Sequence, residues 1–190
     1  PSSKELEDFY AKKYYQSTKP NYAEQQIKDK EWWDLVYSER FNRFQEILGR
    51  SGSVLDIGCG PGFFLSYGAA HGWEVEGIEP SELGSEYARS IGVKCTTANF
   101  NDESIKNLGV FDVVQINQAI EHMANPKEII QNCKKILRPG GLICIVAAND
   151  YSPFQEIAKD LNQLEDWWVI PPEHLNYFNL NSLSKLIGKS

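Results

Sequence analysis

Val54-Leu55-Asp56-Ile57-Gly58-Cys59-Gly60-Pro61-Gly62 joins a short apolar run to a turn with glycine at every second position. The run reads as a buried strand, and a helix is expected from about Pro61. A glycine turn between a first strand and its helix lets the backbone approach a ligand closely and aims the helix N-terminus at it. The spacing Gly58-x-Gly60-x-Gly62 is not the dinucleotide fingerprint G-x-G-x-x-G, because Phe63 stands at the third glycine position. Taken alone, the turn fits a tight packing turn as well as it fits a ligand site.

Working outward, apolar runs and helical patterns alternate. Glu74-Val75-Glu76-Gly77-Ile78-Glu79 reads as a second strand, and Ser81 as the N-cap of a helix reaching about Ser90. Val93-Lys94-Cys95-Thr96-Thr97 is a third strand and Phe111-Asp112-Val113-Val114-Gln115-Ile116-Asn117 a fourth. Asn125-Pro126 caps and starts a helix with the apolar stripe Ile129, Ile130, Cys133, Ile136 and Leu137. Arg138-Pro139-Gly140-Gly141 ends it, and a fifth strand spans 142–148. This alternation predicts an α/β fold: a Rossmann-like parallel sheet with helices on both faces and right-handed crossovers.

Upstream, residues 4–48 read as helical, with Phe41, Phe44, Ile47 and Leu48 on one face and Gly49 as the stop. This segment is rich in aromatics: Phe9, Tyr10, Tyr14, Tyr15, Tyr22, Trp32 and Trp33. They either pack the segment onto the domain or form a lid over a ligand. We divide the chain into a helical N-terminal cap, 1–45, and the sheet domain, 46–190. Downstream, 179–188 reads as a helix, with Asn181 or its neighbour as cap. No strand pattern follows, so an edge at the fifth strand is expected, which invites pairing with another chain; a homodimer is one such pairing.

The 190 residues suit one sizeable core, with 42% hydrophobic and 24% charged residues. No apolar run is long enough to span a bilayer, and the first residues lack a signal-peptide core, so a cytoplasmic protein without membrane partners is expected. The formal net charge of −7, with no basic cluster interleaved with aromatics, disfavours nucleic acid. Cys59, Cys95, Cys133 and Cys144 form no C-x-x-C pair, so no zinc site is suggested and reduced thiols are expected.

An acidic residue at the end of the second strand can accept both hydroxyls of a ribose, and Glu79 stands there. Four blocks in order then resemble the class I S-adenosylmethionine-dependent methyltransferases. Residues 54–62 resemble their first motif, and Gly77-Ile78-Glu79-Pro80-Ser81 their ribose-binding strand end. Residues 111–122 resemble their fourth strand and the following turn, and Leu137-Arg138-Pro139-Gly140-Gly141 the turn into their fifth. The resemblance covers about residues 45–180. It implies S-adenosylmethionine as cofactor, S-adenosylhomocysteine as product, and methyl transfer to oxygen or nitrogen of a small molecule, in a branch like that acting on quinone precursors or sugars. It further implies that Gly58, Cys59, Gly60 and Gly62 carry the methionine moiety, with Asp56 orienting their loop. Glu79 and Pro80 would take the ribose, Asn99 and Phe100 the adenine, and Asn117 and Gln118 would border the crevice. The family often has Asp at the place of Asn99; an amide carbonyl can still accept from the adenine amino group. The family's sheet normally ends with two further strands; these are expected to be missing here, either because the sequence is a fragment of a longer protein or because the edge is covered in another way.

Methyl transfer is an in-line displacement that needs positioning, and a base where the acceptor is a hydroxyl or a protonated amine. His122, in Glu121-His122-Met123, and His174, in Glu173-His174-Leu175-Asn176-Tyr177-Phe178, are the candidates. Either could instead be structural, His174 by ordering its loop. His71 reads as a surface residue. Trp167, Trp168, Tyr177 and Phe178 wall the acceptor pocket or belong to the core. The fourth strand does not end in the Asp expected of metal-dependent catechol methylation, so no metal is expected. Two other functions stay open: a nicotinamide-dependent oxidoreductase, and a cofactor-binding module without turnover.

Overall fold

The structure is a computed structural model that describes residues 21–171 and 174–189. Phe9, Tyr10, Tyr14 and Tyr15 lie outside the described residues. Helix α1 (Tyr22–Lys28) leads into α2 (Lys30–Leu48), which Gly49 ends with φ +73°. That left-handed conformation costs glycine little, and its N–H closes on Gln45 O. The face of α2 that packs is Tyr37, Phe41, Phe44 and Leu48, four positions at helical spacing. Ile47, expected on that face, is exposed, because it lies about a quarter of a turn from the centre of that face.

Five strands follow: β1 (Ser53–Ile57), β2 (Glu74–Glu79), β3 (Lys94–Thr97), β4 (Phe111–Asn117) and β5 (Leu137–Val146). They pair in parallel in the order β3-β2-β1-β4-β5. Between them run α3 (Phe63–Ala70), α4 (Glu82–Ser90) and α5 (Pro126–Lys135), with α6 (Pro153–Asn162) and α7 (Leu180–Lys189) after the sheet. Side chains alternate across the sheet and feed two cores. Val54, Val113 and Cys95 join Tyr37, Phe41, Phe44, Phe64, Leu65 and Trp73 on one face. Leu55, Ile57, Ile78, Val114 and Ile116 join Ile130 and Cys133 of α5 on the other, with Leu183 and Leu186 of α7 packed alongside. Phe41 stacks on Phe64 at 4.5 Å, and no side chain fits at Gly68, where a Cβ would run into the Phe41 ring. Removing a ring packed in this way typically costs about 3–5 kcal/mol.

Several boundaries follow their predicted signals. The Ser81 hydroxyl accepts from Gly84 N at 3.3 Å, and Asn125 Oδ1 accepts from Glu128 N at 3.4 Å with Pro126 in the first turn. Other boundaries differ. Helix α3 starts at Phe63 because Gly60 and Gly62 hold positive φ through the turn. The cap of α7 is Asn179, whose side chain accepts from Ser182 N at 2.9 Å, rather than Asn181. Arg138-Pro139-Gly140-Gly141 is a bulge inside β5: Phe111 pairs with Leu137, but Val113 pairs with Leu142. At Gly141 a Cβ would lie 2.9 Å from two backbone oxygens, so only glycine fits the bulge.

At the N-terminal end of the sheet Asp112 ties three strands together. Its carboxylate accepts from Ser53 N at 2.8 Å, Arg50 at 2.6 Å and Arg138 at 2.8 Å. Burial opposes its charge, yet these donors hold it below the usual carboxylate range.

Candidate active site at the strand ends

The order of the strands reverses between β1 and β4, and at such a point an open α/β sheet leaves a crevice beyond its carboxyl ends. A cavity of about 500 Å³ lies there, a volume typical of cofactor sites. The β1–α3 loop forms its floor, with Asp56, Gly58, Cys59 and Gly60 lining it. Glu79 and Pro80 line it from β2, Asn99 and Phe100 from the end of β3, and Asn117 and Gln118 from the end of β4. Gly62 does not line it. It faces α4 instead, where a Cβ would sit 2.9 Å from Ala88 Cβ, so that glycine serves helix packing.

The loop is held by main-chain bonds to β2. Gly58 N donates to Ile78 O at 2.8 Å, and Gly60 N donates to Glu79 Oε2 at 2.9 Å. The other Glu79 oxygen accepts from Ser81 N at 2.9 Å. Each oxygen accepts one of these bonds and has acceptor capacity beyond it on a residue that lines the cavity, the acceptor set that a vicinal diol requires. Burial pushes the Glu79 carboxyl up to about 7 against these two N–H groups. Asp56 is also pushed up to about 7, chiefly by burial, and Gln115 Nε2 donates to it at 3.3 Å.

Residues of α1 and α2 complete the wall. Tyr37 OH donates to Gln26 Oε1 at 2.9 Å, and Gln26 Nε2 donates to Tyr22 OH at 3.3 Å, linking both helices above the loop. Tyr22, Trp33 and Tyr37 face the cavity, whereas Trp32 is exposed. Of the aromatic set whose role was open, the described members divide: Tyr22 and Trp33 line the cavity, Trp33 also packing against the core, and Trp32 does neither. Sequence reasoning missed Arg40. Its guanidinium reaches Asn117 Oδ1 at 3.1 Å and Gln115 Oε1 at 3.3 Å, and lies over the Phe64 ring at 5.6 Å. The signal was a cation set within the apolar stripe of α2, three residues after Tyr37 and four before Phe44.

The two histidines separate. His122 lines the cavity. His174 does not; its ring lies behind His122, centroids 4.9 Å apart and nearly perpendicular. His174 Nδ1 is buried and has no hydrogen-bond partner among the described residues. The loop carrying it is ordered by other groups: Leu175 N and Asn176 N donate to Glu121 O at 2.9 and 3.0 Å, and Asn176 Nδ2 to Met123 O at 2.7 Å. The Glu121 carboxyl is 1% exposed and lacks a partner of ordinary hydrogen-bond geometry among the described residues. Burial pushes it up to about 7. One ligand atom each from Glu121, His122 and His174 lie within 4.8 Å of one another, a set able to hold a divalent cation. Trp167 and Trp168 do not line the cavity: Trp168 is buried and Trp167 is 45% exposed. Phe178 is core, and Tyr177 OH donates to His174 O at 3.2 Å. His71 is exposed.

A family described as a methyltransferase domain matches residues 28–190. The chain belongs to the methyltransferase domain family. Among the relatives of this family member is the ubiquinone biosynthesis O-methyltransferase of Vibrio parahaemolyticus, 30% identical over 62% of this chain and 57% of its own length. The protein of the same name from Caulobacter vibrioides is 32% identical over 64% of this chain and 51% of its own length. The chain thus spans about half the length of the curated relatives it matches. Among solved structures, the plantazolicin methyltransferase BpumL in complex with SAH superposes with a TM-score of 0.69 at 20% identity, over 97% of this chain and 72% of that one. A SAM dependent methyltransferase from Archaeoglobus fulgidus gives 0.64 at 23% identity, over 82% and 66%. These likenesses bear out the Rossmann-like methyltransferase fold. Among the described residues no helix is long and apolar enough to cross a membrane.

Proposed function

We propose that the chain binds S-adenosylmethionine against the β1–α3 loop and directs its methyl group to an oxygen or nitrogen of a small molecule, leaving S-adenosylhomocysteine. The observation that carries this reading is Glu79, whose two oxygens are fixed by Gly60 N and Ser81 N at one end of a 500 Å³ cavity floored by bare loop backbone. Family membership and the names of the relatives support it.

The bound cofactor would supply an electrophilic methyl group on a sulfonium, which leaves without needing a proton. The chain's task is then geometric. Glu79 accepts the ribose hydroxyls, and the Gly58–Gly60 backbone admits the methionine moiety without side-chain obstruction. Asp56, tied to Gln115, faces the ammonium end. Phe100 and Asn99 offer a ring and an amide to the adenine. Tyr22, Trp33 and Tyr37 exclude water, which strengthens each polar contact inside. His122, on the cavity wall, accepts the proton of a hydroxyl or a protonated amine. His174 stands behind it as a positioning residue. The acidic chain, charge −7, suits a small acceptor better than a nucleic acid.

Calorimetric titration with S-adenosylhomocysteine and, in parallel, NADH tests the reading. Saturable heat from S-adenosylhomocysteine alone is expected. Heat from NADH alone would move the site to nicotinamide chemistry.

A further inference from the structure

Cys59 and Cys95 are both free, and their sulfurs lie 3.5 Å apart. They come from unrelated parts of the chain. Cys59 sits in the cofactor loop between Gly58 and Gly60, both at positive φ, and lines the cavity. Cys95 is buried on β3, directly across from Gly77 of β2. Gly77 has no side chain to spare: a Cβ there would run into Cys59 Sγ. A slot is thus kept open over β2 in which the two sulfurs meet. Arg89 of α4 donates to Cys95 O at 3.1 Å, placing a guanidinium next to this slot. The other two cysteines differ. Cys133 is fully buried in the opposite core, and Cys144 lies on β5.

We infer that Cys59 and Cys95 are an oxidative modification site: a hydroperoxide entering the cavity joins them as a disulfide, and the cross-link weakens cofactor binding by the loop. This rests on the cofactor reading above. The two oxidation equivalents come from the peroxide. The pair first loses one proton, and the resulting thiolate charge is shared across the contact. The hydrogen bond from Cys59 and the charge of Arg89 hold Cys95 below the usual thiol range despite its burial. As the Cys59 sulfur, which lines the cavity, attacks the peroxide, its proton passes across the contact to Cys95; an S–O bond forms, the O–O bond breaks, and the departing oxygen takes up the proton the pair first lost and leaves as water or alcohol. Cys95 then attacks the Cys59 sulfur, the S–O bond breaks, and the hydroxyl takes the Cys95 proton and leaves as a second water. Overall, two thiols and one hydroperoxide give a disulfide and two oxygen-bearing products, water and water or alcohol.

A disulfide needs its sulfurs at about 2.05 Å, so the contact must close by roughly 1.5 Å. Cys95 is fixed in the sheet, whereas Cys59 is flanked by glycines, so the loop is the part that moves. That movement displaces the Gly58–Gly60 backbone that the ligand meets. By linkage, a ligand that holds the loop in its reduced position opposes the cross-link by the same factor.

The reduced chain is treated with hydrogen peroxide, alkylated and digested, and S-adenosylhomocysteine affinity is measured before and after. The expected result is loss of two thiols, recovered in one Cys59–Cys95 linked peptide, with affinity weakened about tenfold, within the usual range of coupling between sites. Dithiothreitol restores it. Cys95→Ala and Cys95→Ser, two variants in case one packs poorly, keep the affinity of the reduced chain and lose the peroxide response. Cys59 and Cys95 remaining alkylatable, or a linked peptide that forms without any change in affinity, overturns the inference. A reduced chain that forms the linked peptide but never binds S-adenosylhomocysteine overturns the cofactor reading instead.

Discussion

The two ends of the sheet bury carboxyls of opposite character. At the N-terminal end Asp112 is saturated with donors from Ser53, Arg50 and Arg138 and is held below the usual carboxylate range. At the C-terminal end Asp56, Glu79 and Glu121 are buried with fewer donors and are each pushed up to about 7. Burial costs the charged form at both ends; the difference lies in how many hydrogen bonds the chain itself supplies. One end is finished by the chain, and the other keeps lone pairs unfilled. Perturbed groups of this kind cluster where a fold leaves room for a ligand. The comparison therefore assigns stability to one end and binding to the other, and substitutions can break it.

The largest expected effect is a crossed pair. Glu79→Ala removes the acceptor of the ribose hydroxyls and should weaken S-adenosylhomocysteine about 100-fold, from roughly 3 kcal/mol of charge-assisted hydrogen bonds. Asp112→Ala should leave that affinity within about twofold while lowering unfolding stability by about 2–3 kcal/mol, because the Ser53 N–H loses its partner. Calorimetry and urea unfolding read the two effects. An Asp112 variant that keeps its stability but loses binding would dissolve the distinction.

A smaller effect separates the ends by pH. Unfolded carboxyls titrate near about 4. Asp56 and Glu79 rise to about 7 on folding, so the folded chain holds protons that the unfolded chain has released. Their contribution to stability is full below about pH 4 and is lost as pH rises through about 7. Asp112 shifts the other way, and its contribution is lost as pH falls through its depressed value. Unfolding of the ligand-free chain should therefore show stability declining between about pH 5 and 7, with a separate loss in acid. Ligand binding reverses the first trend, since only ionised Glu79 accepts two hydroxyls. Affinity for S-adenosylhomocysteine should rise about tenfold from pH 6 to 8 and level off above. A flat affinity profile would mean that Glu79 is ionised throughout.

The same contrast explains what could be read from the sequence. Strand β4 falls at its predicted residues because a central parallel strand is a largely apolar run bounded by turn formers, and β2, though three of its six residues are glutamates, because Gly72 and Pro80 punctuate the chain on either side of it. Ser81 and Asn125 were legible because capping is a local interaction. The residues brought to the cavity by strand ends, Asp56, Glu79, Asn99 and Gln118, follow from topology once the strands are placed. What depends on distant packing was not legible. Nothing in the sequence told Gly62, which faces Ala88, from Gly58, which faces the cavity, since both follow a turn requirement. Arg40 reaches Asn117 across 77 positions, beyond the reach of periodicity. Helix α6 is a different case, because its signal was local: Ser152-Pro153-Phe154-Gln155 forms a capping box with Pro in the first turn. Its exposed Phe154 and Leu161, at 78% and 79%, blur the stripe that would mark a packed helix.

The smallest effect tests Glu121, whose carboxyl differs from that of Glu79 at the same end of the sheet. Glu79 has two N–H donors and an open cavity, whereas Glu121 has neither donors of ordinary geometry nor exposure. A buried polar group left unpaired costs about 1–3 kcal/mol. If the carboxyl is only a buried side chain, Glu121→Leu should raise stability by about 1–2 kcal/mol and leave S-adenosylhomocysteine affinity unchanged. If a cation joins it to His122 and His174, the same variant should lose stability, and EDTA should lower the thermal midpoint of the native chain but not of the variant. The first outcome is expected, because the chain already anchors this segment through Glu121 O, which accepts from Leu175 N and Asn176 N without using the carboxyl. A stabilised variant that also loses turnover would show that the carboxyl is retained to orient His122, at a cost to the fold.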